Sequence, residues 1–394
     1  MNIVFHPCTS CRLCGATDFM PLLDFPEMPV LAEPVPAGTE VAAGPLTAVA
    51  CRRCGYVFLR EAIGGGIYSD YTYTPQISGD VVDYLRQFVR RTVAGLGLGP
   101  GSQGLEIGSG DGSLCREFNA AGVAFTGVEP SRILSGISRE RNGVATHHAF
   151  MDAALARRLG CRFDLVVVRH VLEHIHDFPA FFEAIGLCLK PAGTLVVEVP
   201  YLGEIIRQRQ FYAFFFEHLS YFSAQSLGRL FANHGFHIRQ AEFVHPEGGS
   251  ILVQAARSPA AAPADPVDCG PAGLVSLREA FAAFRGRFAE LVRQEGRIAA
   301  YGAGQRGVTL LNLLGATPAQ VAAIYDENTV YHGLCTPRSG IPVRPPAEMG
   351  RPGAPETVLI LASSYDRQIR AKYREAGRRF VSLSEVLPET RRGG

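Results

Sequence analysis

Gly108, Gly110 and Gly112 fall at alternating positions directly after a short apolar run, in Gly104-Leu-Glu106-Ile-Gly108-Ser-Gly110-Asp111-Gly112. That spacing restricts the fold sharply. The run reads as a strand, the glycines let a ligand approach the backbone, and the segment beyond opens a helix whose N-terminus favours negative charge. A strand, loop and helix of this kind belong to a doubly wound α/β sheet, and the flanking sequence agrees. Phe125 to Glu129, Phe163 to Val168 and Gly193 to Val199 read as further strands, with helices over Phe178 to Leu189 and Ser223 to His234. Phe236 to Val244 and Gly249 to Ala255 follow as two last strands joined by a turn. Beyond a linker rich in Pro, Ala and Gly, from Ser258 to Gly273, a helical lead over Leu274 to Glu295 opens a second alternation. Its strands are Arg297 to Tyr301, Val321 to Tyr325 and Val358 to Ala362.

A dinucleotide fold asks for Gly-x-Gly-x-x-Gly, but Ser113 stands where the third glycine would be, and Glu106 precedes Gly108 by two positions. Glu129 closes the next strand, where a carboxylate can accept from both hydroxyls of a ribose. This pattern resembles motif I and its partner acid in class I S-adenosylmethionine-dependent methyltransferases. The resemblance implies cofactor contacts at Glu106, Gly108, Gly110, Asp111, Gly112 and Glu129, and an adenine contact at Asp152. Arg169-His170-Val-Leu-Glu-His174-Ile, at the end of the following strand, is similar to a second signature of that family and implies a further cofactor contact at Arg169.

Toward the N-terminus, Cys11-x-x-Cys14-Gly15 and Cys51-x-x-Cys54-Gly55 form two matching hooks. Each turns the backbone so that two sulfurs meet one ion, a four-thiolate pattern suited to structural Zn2+ with no open position. The stretch between them carries Pro21, Pro26, Pro29, Pro34 and Pro36 and cannot make long helices, so the metal stands in for a core. Cys8-x-x-Cys11 is a possible alternative pair; the matching Gly15 and Gly55 favour the other register.

Tyr301-Gly302-Ala-Gly304-Gln-Arg306-Gly307 is by itself a complete Gly-x-Gly-x-x-Gly, with Asp326 ending the next strand, and in isolation would read as an NAD site. Zinc hooks, a methyltransferase core and a C-terminal βαβ segment, in that order, resemble instead the three-part nucleotide-sugar C-methyltransferases of deoxysugar antibiotic pathways, over nearly the whole chain. The resemblance implies an α/β protein with a class I (Rossmann-like) core at 76–257, a zinc-binding domain at 1–75, a linker and helix at 258–296, and a Rossmann-like substrate-binding domain at 297–394.

It also implies roles. In Phe215-Phe-Glu217-His218-Leu-Ser-Tyr221, His218 is the general base, since carbon methylation removes a proton alpha to a ketone and His titrates nearest neutrality. Glu217 assists it, Tyr73 of Asp70-Tyr71-Thr-Tyr73 closes the site, and His170 and His174 project toward the same cleft. Tyr71, Tyr201, Tyr221, Gly302, Gly304, Arg306 and Asp326 are the expected substrate contacts. One departure stands out: the family usually has Tyr three residues before the base and a polar residue before the Glu, where this chain has Phe215 and Phe216. Losing an oxyanion donor commonly costs on the order of 100-fold in rate, so another group supplies it or the acceptor differs. Two further readings are therefore a methyltransferase for another small natural-product acceptor, on oxygen, nitrogen or carbon, and a non-catalytic zinc- and nucleotide-binding protein.

Lys and Arg number 38 against 37 Asp and Glu, a formal charge of +1, so bulk charge recruits neither nucleic acid nor anionic membrane. With no apolar run of the length a bilayer demands and no signal segment before Phe5, the expected setting is cytoplasmic and the partner a small molecule, a nucleotide sugar.

Overall fold

The structure is a computed structural model that describes residues 5–63, 79–160, 162–244, 249–259 and 263–386. Tyr71 and Tyr73 lie outside them.

Strands Leu165–Val168 and Leu195–Val199 are almost unbroken apolar runs because helices cover both faces of the sheet they enter. That sheet has seven strands, in the order His237–Val244, Ser250–Ala256, Leu189–Pro200, Phe163–Arg169, Gln103–Ile107, Ala124–Glu129, Thr146–His148. The last five run parallel, and Ser250–Ala256 lies antiparallel between Leu189–Pro200 and His237–Val244. Strand order reverses between Gln103–Ile107 and Phe163–Arg169, and the crevice outside the carboxyl ends at such a point is where α/β sheets bind ligands. The loops leaving those two strands carry Gly108 to Gly112 and His170 to His174.

The cysteine hooks flank a four-stranded antiparallel sheet, ordered Ser220–Tyr221, Val57–Leu59, Ala43–Cys51, Phe19–Pro29. The proline-rich strand is at the edge, where a missing N–H is tolerated, and its pairing with Ala43–Cys51 shifts register between Pro21 and Leu23 and between Phe25 and Met28. The opposite edge is supplied from far along the chain: Ser220 and Tyr221, just after His218, pair with Phe58 and Val57. Arg12 ties the first hook to the same region, donating to the carbonyls of Ile175 (3.0 Å) and Leu219 (2.5 Å).

The C-terminal alternation forms a parallel five-stranded sheet, Val343–Arg344, Val321–Tyr325, Ile298–Tyr301, Thr357–Ile360, Arg379–Ser382. Its lead helix begins at Pro271 rather than Leu274, with proline in the first turn where its missing N–H costs nothing. The segment before it is also less free than its composition suggests. The Asp265 carboxylate accepts from the backbone N–H of Ala224 (2.6 Å) and Gln225 (3.1 Å) and from the Tyr201 hydroxyl (3.1 Å), capping helix Ala224–Asn233 from outside. Phe281 and Phe284 of the lead helix then pack on Phe211, with ring centroids 4.9 and 5.8 Å apart. Among the described residues no helix is long and apolar enough to cross a membrane.

Candidate active site

A cavity of about 550 Å³ opens at the reversal point, lined by Glu106 to Asp111, Arg169 to Val171, Glu173 to His176, Phe215, Glu217, His218 and, from the start of helix Gln305–Leu313 in the C-terminal alternation, Gln305 and Arg306. Gly108 must be glycine here: its φ is +73°, and a Cβ would stand 2.2 Å from Val171 Cγ2. Gly110 (φ +54°) has open space where its Cβ would be, a cradle that fits a ligand pressed on the backbone. Glu129 holds the loop's shape, its two carboxylate oxygens accepting from Gly110 N and Ser131 N, each at 2.8 Å. Each oxygen keeps a further acceptor site, so the acid fits a hydroxyl-bearing ligand as well. Asp111 accepts from Ser113 N (3.0 Å), and Glu106, fully buried, accepts from the Cys115 thiol (3.1 Å). Burial pushes the Glu106 acid up to about 7, against the lowering effect of that thiol and of Arg169.

Asp152 does not line this cavity. It is exposed and caps helix Ala153–Leu159, accepting from Leu155 N at 2.6 Å, while its neighbours Ala149, Phe150 and Met151 face the cavity. Phe150 is 50% exposed there, an apolar surface for a flat ring. Arg169 lines the wall but is committed to the buried Glu198, Nε to Oε2 at 2.6 Å, and Tyr84 donates to the same oxygen at 3.0 Å.

The histidines meet at the far wall. His170 holds a left-handed backbone (φ +50°), with Nδ1 3.6 Å from Glu173 Oε1 and Nε2 3.5 Å from Glu198 Oε1. Non-glycine residues adopt that conformation uncommonly, and Arg209 and Arg338 share it among the described residues. His174 Nδ1 donates to the Glu217 carbonyl at 2.7 Å, and its ring lies 5.1 Å from that of His218. His218 packs against Phe215, with ring centroids 4.1 Å apart and planes tilted by 38°. Burial, then the neighbouring His174, brings the His218 pKa down to about 3, so its imidazole is neutral across the physiological range. Burial raises Glu217. Phe216 faces away, buried against Phe5 at 5.3 Å, and only Phe215 of the two departures reaches the cavity.

Tyr201 and Tyr221, expected at substrate, are instead buried core residues: Tyr201 donates to Asp265, and Tyr221 packs on Phe214 at 4.4 Å. Gly302, Gly304 and Asp326 are not part of the lining; Asp326 accepts from Ala303 N (2.6 Å) and Asn328 N (2.8 Å) and shapes the loop. Arg306 does reach the cavity, its guanidinium 5.6 Å from the Tyr212 ring centroid. Glu173 was not a sequence candidate; its place between two histidines in His170-Val-Leu-Glu-His174 was the available signal.

Away from the cavity, the sulfurs of Cys11, Cys14, Cys51 and Cys54 converge, with Cys11–Cys54 at 3.5 Å and Cys14–Cys51 at 3.6 Å. Tetrahedral Zn–S bonds of about 2.3 Å put sulfurs roughly 3.8 Å apart, so the donor set fits one ion and is far too open for disulfides. Gly15 and Gly55, both left-handed, donate back to the Cys11 and Cys51 carbonyls and close the hooks. Cys8 stands outside the cluster, its thiol donating to Ser10 O.

A methyltransferase domain model matches residues 81–241, and the model of a C-methyltransferase C-terminal domain matches 277–383. The C-methyltransferase NovU of Streptomyces niveus is 32% identical over 99% of this chain and 98% of its own. A ubiquinone biosynthesis O-methyltransferase of Rhodopseudomonas palustris is 31% identical, over 24% of this chain and 38% of its own. Among solved structures, the magnesium protoporphyrin IX methyltransferase of Synechocystis PCC 6803 with bound SAH is 19% identical over 49% of this chain and 91% of its own, at a TM-score of 0.37. With a class I strand order, glycine cradle and end-to-end likeness to a C-methyltransferase, the chain belongs to the S-adenosylmethionine-dependent C-methyltransferases.

Proposed function

We propose that this enzyme methylates a carbon of a nucleotide-linked keto-deoxysugar, with His218 as the base that generates an enolate. S-adenosylmethionine supplies the electrophilic methyl when bound. In this reading Gly108 to Gly112 cradle the cofactor, Glu129 takes its ribose, and Glu106, Asp111 and Arg169 complete the wall; Asp152 acts only through the helix it caps. His218 removes the proton alpha to the ketone and passes it toward solvent, and Glu217 beside it helps orient the donor face of the site. The charge that develops on the ketone oxygen is met by His170 and by Tyr73, in place of the hydroxyl absent at Phe215; His174, whose Nδ1–H is given to the Glu217 carbonyl, joins them only as an imidazolium. Arg306 offers a planar fork of donors to a pyrophosphate, which makes the C-terminal alternation a substrate platform rather than an NAD site. Residues 1–75 carry one structural Zn2+ on Cys11, Cys14, Cys51 and Cys54.

The observation that carries the reading is the half-buried imidazole of His218 lining the cavity, its ring 5.1 Å from that of His174. The test is mass spectrometry of nucleotide-sugar acceptors incubated with isotopically labelled S-adenosylmethionine. A methyl on carbon, lost in His218→Asn while cofactor affinity stays, is expected. A methyl on oxygen or nitrogen would overturn it in favour of a different acceptor, the alternative that Phe215 against His218 motivates.

A further inference from the structure

No step above uses Glu173. It sits in the short turn Leu172–His174, 1% exposed, and neither carboxylate oxygen has a hydrogen-bond partner among the described residues. A buried carboxylate is costly unless a cation offsets it. His170 Nδ1, at 3.6 Å, is beyond hydrogen-bond length and forms an ion pair with Glu173 only when that imidazole is protonated. Glu173 does have neighbours of another kind: one ligand atom each from Glu173, His174 and His218 lie within 4.8 Å of one another. Two imidazole nitrogens and one carboxylate oxygen make a three-ligand set that zinc-class ions accept, leaving a fourth position open. Nitrogen donors also disfavour magnesium and calcium.

The arrangement behind His174 is of the kind metal-binding histidines use. Its Nδ1–H is spent on the Glu217 carbonyl at 2.7 Å, which fixes the tautomer and leaves the ring's lone pair on Nε2. His174 and His218 both line the cavity, so an ion there is reachable from solvent and its open position faces the acceptor space. This cluster shares no residue with the four cysteines.

We propose that Glu173, His174 and His218 form a second metal site, for a divalent first-row transition ion of the zinc, cobalt or nickel class, whose occupation silences the enzyme. The ion and the alpha proton compete for the same imidazole, because a coordinated His218 has no lone pair left for proton abstraction. The site itself stands on Glu173 and its two neighbours alone; only its inhibitory consequence rests on His218 being the base.

Full-length protein with zinc already on its cysteines is titrated with Co2+, followed by calorimetry and visible absorption. One further equivalent should bind, with the weak d–d bands of nitrogen and oxygen ligation and no thiolate charge-transfer band. Glu173→Gln and, separately, His174→Asn should each weaken that equivalent at least about 10-fold, the low end of what even outer-shell changes cost. Retained S-adenosylmethionine binding and cysteine-bound zinc verify that each variant is folded. Solvent exchange of the sugar's alpha proton should fall with the same Co2+ midpoint. No second equivalent in the parent, or equal affinity in both variants, overturns the site. Binding without suppressed exchange overturns the inhibition. Absence of exchange in cobalt-free enzyme instead counts against His218 as base, while the binding arm still decides the site.

Discussion

Replacing Glu106 by Gln should stabilise this protein, and by an amount that depends on pH in a defined way. The carboxyl is buried and pushed up to about 7 from an ordinary 4.5, chiefly by burial and with Asp111 and Glu129 adding repulsion. At about 1.4 kcal/mol per unit, keeping it ionised in the folded chain costs roughly 3 kcal/mol. Below pH 4.5 folded and unfolded chains both hold the proton and no cost exists. As pH rises toward 7 the unfolded chain gives up its proton first, so stability drains away, and above 7 the full cost is in place. Glutamine is neutral throughout, and its side-chain oxygen can still accept from the Cys115 thiol that lies 3.1 Å from the present carboxylate. Paired denaturant titrations of parent and Glu106→Gln should therefore coincide near pH 4 and separate by ~2 to 3 kcal/mol at pH 8. The same variant should bind S-adenosylmethionine more weakly under the proposed role of Glu106 in the cofactor wall. A stability difference that does not change with pH, or a glutamine variant less stable at pH 8, would refute the reasoning.

Three other outcomes follow from the geometry. Cys54→Ser should lose about one equivalent of zinc and unfold the N-terminal sheet, whereas Cys8→Ala keeps the metal; elemental analysis of purified protein distinguishes them. Asp152→Ala should cost ~1 kcal/mol of stability through the lost cap on helix Ala153–Leu159, with S-adenosylmethionine affinity within twofold of the parent by calorimetry. Glu129→Ala should weaken the cofactor by ~1 to 3 kcal/mol, since it leaves loop N–H groups unpaired as well as removing an acceptor; unchanged affinity would show that the ribose is held elsewhere.

The strands were legible because burial on both faces writes itself as continuous apolar sequence: the expected Phe163 to Val168 is observed as Phe163–Arg169, and the expected helix Phe178 to Leu189 as Phe178–Cys188. The helix expected over Ser223 to His234 is observed as Ala224–Asn233, with Ser223 as its cap, the hydroxyl accepting locally from Ser226 N. Long-range pairings left no such mark. A two-residue strand, Ser220–Tyr221, has no periodicity to read, yet it joins the cysteine-flanked sheet to the residues just after His218. Asp265 caps a helix that begins at Ala224, and nothing in a Pro- and Ala-rich segment announces that partner. For the site, the loop Glu106 to Gly112 was visible as a motif because glycines at that spacing after a strand have few other uses, and the pair Glu217-His218 was picked out by the family resemblance. Tyr201 and Tyr221 were expected at substrate because a hydroxyl beside a motif looks available; both rings are buried in the core, a burial that the short sequence around them does not announce. Asp152 was expected at adenine and is observed capping helix Ala153–Leu159, since an acid after a strand serves a helix end as readily as a ligand.

The central claim is that His218 makes a carbon nucleophile. Its most direct test is the exchange of deuterium from the alpha carbon of a keto-sugar nucleotide into water, followed by NMR with S-adenosylhomocysteine in place of the methyl donor. Washout in the parent enzyme that disappears in His218→Asn, with S-adenosylhomocysteine still bound, is the predicted result. Washout that persists in His218→Asn would assign the base to another residue, and a methylated product formed with no washout in either protein would contradict the enolate altogether.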